Sequence, residues 1–279
     1  MRDAPERADP AVCHSERSEE SGRGNPSPRS FAGAQDDLRK GSGGLSQPAA
    51  LAFACLFPTL ATWLYFVALS GTPWTTPIFA VCKLVQFAFP LVWILGVERR
   101  PLRFLKKPAT PGLWIGLLSG LAVLAFLLAA WRPLLASSPV LDRAPAAVAQ
   151  KIASFGIDGA GKYLLLAVFY ALLHSLLEEY YWRWFVFGRL RHHLPIAGAA
   201  ILSSLAFTAH HVLLVGQFLG GYGPATWLLS LTVTTAGLIW AWTYHRSGSL
   251  YGPWLSHGLA DAGLMWIGYQ LWRMVGGPG

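Results

Sequence analysis

Acidic side chains are scarce in this 279-residue chain once its first 47 residues are set aside. Charged residues make up 13% of the sequence, whereas hydrophobic residues make up 53% and include 13 tryptophans. This composition is too apolar for one soluble domain. It predicts an all-α, polytopic membrane helical bundle. Beyond residue 47 the carboxylates are Glu98, Asp142, Asp158, Glu178, Glu179 and Asp261.

Cysteine is equally scarce. Cys13, Cys55 and Cys82 have no paired spacing, so the sequence indicates neither a disulfide framework nor a cysteine-based metal site. No HExxH motif and no convincing internal repeat occur. Residues 1–47 carry seven basic and eight acidic residues, and the remainder carries fifteen and six. The positive excess therefore belongs to the membrane part, where we expect it to set topology rather than bind nucleic acid.

The first 47 residues are rich in Ser, Gly, Arg, Glu and Asp and have almost no apolar periodicity, which predicts a disordered tail. They contain no apolar core of a signal peptide. Residues 14–21 and 29–37 resemble a tract that looks like translated intergenic repeat, which suggests a native start further downstream. The next methionine is Met265, so such a start needs an alternative initiation codon. Residues 48–279 form the predicted transmembrane domain.

Seven stretches are long and apolar enough to cross a bilayer, since a spanning helix needs about 20 apolar residues. They run approximately over 48–69, 77–97, 111–131, 163–187, 195–216, 224–244 and 250–272. Basic residues cluster between the second and third spans and in the connection between the fourth and fifth spans. This bias predicts a cytoplasmic N-terminus and an outer C-terminus. Within residues 132–162, Ala146–Phe155 predicts a short helix at the membrane interface.

Polar residues inside the last four predicted spans mark a candidate site, because an ionisable group at membrane depth costs roughly 2.5–3.5 kcal/mol on insertion scales. A rise of about 1.5 Å per residue places Glu178 about 21 Å, His211 about 27 Å and Asp261 about 20 Å along their helices from the predicted cytoplasmic connections. Three spans thus bring polar groups to overlapping depths. The full set is His174, Glu178, Glu179, Arg183, His210, His211, His257 and Asp261.

Structural roles account for part of this set. His174 can reach Glu178 one turn away as a simple hydrogen-bonding residue, and Arg183 can pair with Glu179 to keep a buried charge neutral. Adjacent helical residues point about 100° apart, so we expect one of His210 and His211 to be structural. The aromatic residues that follow Glu179 are most simply packing or interface residues.

Three motifs carry a resemblance to a known family. Glu178-Glu179-x-x-x-Arg183, Phe207-x-x-x-His211 and His257-x-x-x-Asp261 resemble, in order, those of the CAAX protease and bacteriocin-processing (CPBP, or Abi) intramembrane endopeptidases. That family includes the Ras-converting prenyl endopeptidase. The resemblance covers roughly residues 160–270, and the first three spans fit only in kind. Each motif alone is weak, but three in the right order are specific.

The resemblance implies an intramembrane endopeptidase that uses Glu178 as general base on a water molecule, with His211 helping to hold it. His257 and Asp261 would stabilise the oxyanion, and Glu179 and Arg183 would support the site. The eukaryotic prenyl endopeptidases carry Asn where this chain has Asp261. Because an ionised Asp cannot donate to an oxyanion, Asp261 would have to be protonated, orient His257 or bind a metal.

Several alternatives stay open from the sequence. A zinc site could be formed by Glu178, His211, His257 and Asp261, whose nitrogen and oxygen atoms are ligands that zinc accepts. A non-catalytic scaffold or bacteriocin-immunity protein of the same fold would keep the motifs without turnover. A proton-coupled transporter would use Glu178 and Asp261 as a relay. Under the leading hypothesis the partners are a peptide or protein substrate and the lipid bilayer, and the location is a bacterial inner membrane.

Overall fold

The computed structural model describes residues 47–102, 110–131, 136 and 138–278. This part of the chain contains no strand, which confirms the predicted all-α class. Its eight longer helices, in chain order, are α1 (Gln47–Ala68), α2 (Thr75–Val97), α3 (Thr110–Ala130), α4 (Ala144–Ser154), α5 (Ala160–Leu190), α6 (Ile196–Leu219), α7 (Pro224–Ser247) and α8 (Tyr251–Met274).

The protein is a polytopic helical membrane bundle. Among the described residues, six helices have the length and apolar composition to cross a membrane: α1, α2, α3, α5, α6 and α7. The seventh predicted span is the 24-residue helix α8, which falls outside that set and carries polar residues such as His257 and Asp261. The predicted interfacial helix Ala146–Phe155 corresponds to α4, which is only 11 residues long.

Close packing of α8 against α3 depends on small residues. Gly112, Gly116 and Gly120 lie one turn apart on α3. A Cβ on Gly116 would overlap the carbonyl oxygen of Gly252, and one on Gly120 would come within 2.9 Å of the Cα of Ser256. Small residues spaced four apart let membrane helices approach closely, so that van der Waals contact can hold them together. This packing fixes the position of α8, which carries two of the candidate site residues.

The long helix α5 departs from regular α-helical geometry on both sides of the paired glutamates. It is π-helical over Phe169–His174 and Tyr180–Phe187, with one α-helical turn, Ser175–Glu179, between them. Such π-helical stretches are rare and are often found at functional sites. The second stretch contributes the centre of the protein core, where Tyr181, Trp182, Phe185 and Phe187 are fully buried. The predicted packing role of Tyr181 and Trp182 is thus confirmed.

Some sequence predictions fall on residues that the structure does not describe. The predicted disordered tail lies outside the described residues except for Gln47, which begins α1. The basic residues between the second and third spans lie partly outside them as well, namely Arg103, Lys106 and Lys107. The described basic residue Arg189, at the end of α5, pairs with Glu98 at the end of α2, with 2.9 Å between Nη2 and Oε2. The C-terminal ends of α2 and α5 therefore lie at the same end of the bundle.

Candidate active site

Glu178 lies at the centre of a cluster of histidines from three helices. Its carboxylate is 2% exposed. Ring nitrogens of His174 on α5, His210 on α6 and His257 on α8 each lie 3.7 Å from one of its oxygens. These separations are slightly too long for direct hydrogen bonds. They are compatible with a water molecule bonded to the carboxylate and to a neighbouring ring. His174 thus lies one turn from Glu178 and near its carboxylate, as predicted, but without the direct hydrogen bond that the sequence analysis expected.

Glu179 is fully buried and, unlike Glu178, forms direct contacts with neighbouring side chains. Its Oε1 accepts a 2.7 Å hydrogen bond from Nδ1–H of His257, and its Oε2 lies 3.2 Å from Nε of Arg183. The predicted ion pair between Glu179 and Arg183 is confirmed. Because the Nδ1 hydrogen of His257 is directed at Glu179, the other ring nitrogen faces the centre of the site. That nitrogen, Nε2, lies 3.7 Å from both Glu178 Oε2 and Asp261 Oδ1.

Aromatic rings hold the charged groups of the site in place. The indole of Trp240 stacks on His257, with 4.2 Å between ring centroids and 15° between planes. Its Nε1–H donates a 2.9 Å hydrogen bond to Ser256 Oγ. The guanidinium of Arg183 lies 4.7 Å from the centroid of Phe207 and 4.9 Å from that of Trp240. Stacking on these rings keeps a buried guanidinium fixed while Glu179 balances its charge.

Both histidines of the adjacent pair on α6 lie close to Glu178, although ideal helical geometry would point them about 100° apart. The expectation that one of them is structural stays a prediction. Nδ1–H of His211 donates a 2.9 Å hydrogen bond to the Phe207 carbonyl, which leaves Nε2 as the acceptor or ligand. The ring of His210 stacks on Trp182 with 8° between planes. Ligand atoms of Glu178, His210 and His211 lie within 4.8 Å of one another. The Cβ atoms of neighbours diverge, but side-chain rotation brings both imidazoles together.

This cluster also changes the predicted metal ligands. Among the described residues, the group with metal-ligand geometry is Glu178, His210 and His211. His257 and Asp261, which the sequence analysis included in a zinc site, are not in it. His257 has its Nδ1–H hydrogen bond to Glu179, and Asp261 lies beside His257.

Asp261 lies one helical turn from His257, as the i, i+4 spacing predicts. Its side chain is 16% exposed, which makes it the most accessible acidic group of the cluster. Its Oδ2 is buried and has no hydrogen-bond partner among the described residues.

Two further residues support the site and were not found from the sequence. Trp240 fixes the plane of His257, and the carbonyl oxygen of Gly237 lies 3.5 Å from Nη2 of Arg183. Both are on α7, which carries no charged residue along the membrane part of its length. Nothing in the sequence separates Trp240 from the other twelve tryptophans, since its role depends on α7 crossing close to α8.

Comparison with known proteins gives one match and two negative results. Searches of curated proteins and of solved structures found no match to the chain. The family model described as "Rce1-like: Type II CAAX prenyl endopeptidase Rce1-like" matches residues 160–263. These residues comprise α5, α6, α7 and the first half of α8, and they include every residue of the cluster. The family resemblance predicted from the three motifs is confirmed over the part of the chain that forms the candidate active site.

Proposed function

We propose that the protein is an intramembrane endopeptidase in which Glu178 activates a water molecule for attack on a peptide bond. The observation that carries the proposal is a buried carboxylate with three imidazole nitrogens at 3.7 Å, contributed by three different helices. Burial of several titratable groups around one point is costly, and it is typical of catalytic sites. The match to a CAAX prenyl endopeptidase family supports peptide bonds as the substrate class.

In the proposed reaction, the Glu178 carboxylate accepts a proton from the water molecule while the water oxygen bonds to the peptide carbonyl carbon. The carbonyl oxygen becomes an oxyanion. When the tetrahedral intermediate collapses, the C–N bond breaks, and the proton held by Glu178 passes to the leaving nitrogen. His210 and His211 are placed to orient the water, since both rings lie beside this carboxylate.

Oxyanion stabilisation would come from the face formed by His257 and Asp261. Nδ1–H of His257 is already donated to Glu179, so donation through Nε2 requires the doubly protonated imidazolium. The carboxylate of Glu179 favours that charged ring, and Arg183 holds this carboxylate in place by pairing with it. Asp261 can add a second donor only as a neutral carboxylic acid. Glu179 and Arg183 thus act as positioning residues for His257.

A metallopeptidase is the second candidate, because Glu178, His210 and His211 offer the one-oxygen, two-nitrogen donor set that zinc accepts. A zinc ion bound there would polarise its water ligand and lower the pKa of that water. The two mechanisms are separated by measuring metal content and activity on the same purified sample. Full peptidase activity in metal-free protein supports the glutamate mechanism, and stoichiometric zinc that is lost together with activity supports the metal mechanism.

Peptide hydrolysis distinguishes both peptidase mechanisms from a non-catalytic scaffold, an immunity protein or a transporter. The experiment incubates the purified full chain with fluorescence-quenched peptides that carry a lipid anchor or none, and identifies the products by mass spectrometry. We expect cleavage at one bond. If no peptide is cleaved by protein that is shown to be folded, the non-catalytic scaffold becomes the better account.

We propose that the protein lies in a bacterial inner membrane with its N-terminus on the cytoplasmic side. The end of the bundle that carries Arg99, Arg100, Arg189 and Arg191 would then face the cytoplasm, in keeping with the preference of basic residues for that side. Cysteine labelling of single-cysteine variants at the two ends of the bundle tests this orientation. Labelling of the Arg189 end from outside intact cells would reverse it.

A further inference from the structure

Two neighbouring cavities differ in polarity, and the first, more polar one lies at the end of the bundle away from the Glu98–Arg189 ion pair. The first has a volume of about 340 Å³ and lies between the α1–α2 connection, α4 and the end of α6. The second has a volume of about 770 Å³ and runs between α2 and α5, with almost entirely apolar walls. Phe79 and Phe155 line both cavities, so the two lie next to each other at these rings.

Lys151 on α4 lines the first cavity and lies beside Phe155, which lines both cavities. Its Nζ is 4.3 Å from the ring centroid of Phe66 and 4.9 Å from that of Phe155. No acidic residue in the described part of the chain forms an ion pair with it. Lys162, at the same end of the bundle, instead pairs with Asp158 at 2.7 Å. Burial lowers the pKa of Lys151, so an anion beside the ammonium group would offset the cost of its burial.

Further hydrogen-bonding groups surround Lys151 in the first cavity. The side chains of Ser70, Thr76, Gln150 and Gln217 line it and have no hydrogen-bond partner among the described residues. An ammonium group with free hydroxyl and amide groups around it suits a phosphate group, which accepts several hydrogen bonds at once.

The second cavity lies beside the first and has the form of a groove for an apolar chain. On α2 it is lined at every fourth residue from Phe79 to Leu91, a distance of about 18 Å at 1.5 Å per residue. This is close to half of the roughly 30 Å hydrocarbon thickness of a bilayer. The opposite wall is formed by α5 and includes Leu166, Tyr170 and His174.

We propose that the two cavities together bind one membrane phospholipid with an anionic headgroup, its phosphate beside Lys151 and one acyl chain in the groove between α2 and α5. Apart from Lys83 and His174, the groove offers few polar groups, so most backbone groups of a peptide segment would lack hydrogen-bond partners there, whereas an acyl chain needs none. A small soluble anion would leave the groove empty. An anionic phospholipid meets both the charge of the first cavity and the apolar character of the second. The proposal does not depend on peptidase activity.

The test uses the delipidated full chain in neutral detergent, with bound lipid counted by native mass spectrometry and thermal unfolding measured in parallel. Phosphatidylglycerol should bind at one copy per protein and raise the unfolding temperature, whereas phosphatidylcholine and free glycerol phosphate should do neither. Lys151→Gln should weaken phosphatidylglycerol binding by at least about fivefold, as expected for one cation near an anionic lipid. Lys162→Gln is the matched control and should leave binding unchanged, because Lys162 is exposed and already paired.

A substitution in the groove tests the acyl-chain half of the proposal. Ala88 lines the groove, so Ala88→Trp should fill it and reduce phosphatidylglycerol binding while Lys151 is intact. Because native mass spectrometry counts bound lipid directly, it reports binding even for a variant that is also less stable. Equal binding of phosphatidylcholine, binding of glycerol phosphate alone, or unchanged binding in either Lys151→Gln or Ala88→Trp would overturn the proposal.

Discussion

Replacing Glu179 with glutamine should destabilise the protein because it leaves Arg183 buried without a counter-charge. Glutamine has the same shape and keeps an oxygen that can accept from Nδ1–H of His257. The perturbation is therefore the loss of one negative charge. In the native site, the Glu179 carboxylate is fully buried and lies 3.2 Å from Nε of Arg183.

The expected cost follows from this burial. Removing one partner of a buried ion pair typically costs about 3–5 kcal/mol, since the remaining charge is left in a poor dielectric environment. The retained acceptor places Glu179→Gln near the lower value, about 3 kcal/mol, which is roughly a hundredfold change in the folding equilibrium. Arg183→Met should cost a similar amount, because it leaves the buried Glu179 carboxylate with its hydrogen bond from His257 but without its guanidinium counter-charge.

A double-mutant cycle in detergent, followed by denaturant or thermal unfolding, measures the coupling. The double variant Glu179→Gln with Arg183→Met should be about as stable as either single variant, so it recovers roughly half of the summed loss, which is a coupling energy of about 3 kcal/mol. Peptidase activity should stay low, because the charge that favours the His257 imidazolium is still missing. Additive losses of stability would show that Arg183 does more than balance Glu179. Recovery of activity along with stability would refute the positioning role of Glu179.

Three other outcomes are expected. Asp261→Asn should retain much of the activity if Asp261 is a neutral donor, whereas Asp261→Ala should lose about 10²–10³ in rate, the usual cost of one oxyanion donor. The measurement is kcat on a quenched peptide, and equal losses in the two variants would argue against the donor role. His210→Ala and His211→Ala should both lower kcat severely in the same assay, although the sequence alone favours a role for His211 only. Near-normal activity of the His210 variant would support His211 alone. Deleting residues 1–40 should leave the unfolding temperature within a degree or two, and a large loss would show that the tail docks on the bundle.

The membrane helices could be predicted closely because hydropathy decides them. The predicted span 224–244 is α7, Pro224–Ser247, and the other boundaries agree within a few residues. Helix α4 was predicted from its short apolar pattern between two polar connections, and its position at the membrane interface stays a prediction. The few carboxylates within the predicted membrane helices pointed to the site, because a charge inside a membrane helix needs a partner. Glu179 and Arg183 show this directly.

Contacts between helices were harder to predict. The π-helical stretches of α5 change the direction in which side chains point around Glu178, and no residue pattern in the sequence signals them. Ideal helical geometry predicted that His210 and His211 diverge, but their rings meet because each side chain rotates about its own bonds. The place of Trp240 depends on how α7 crosses α8, which is a property of tertiary packing.

Activity of the Glu178→Gln variant is the most direct measurement of the central claim. Glutamine preserves the volume of the buried side chain but cannot accept the proton of the attacking water. The account predicts loss of peptide cleavage to background, with the unfolding temperature close to that of the native protein. Glu98→Gln is the matched control, because Glu98 pairs with Arg189 at the end of the bundle and should keep its activity. Cleavage by folded Glu178→Gln protein at a rate comparable to the native enzyme would contradict the general-base role of Glu178.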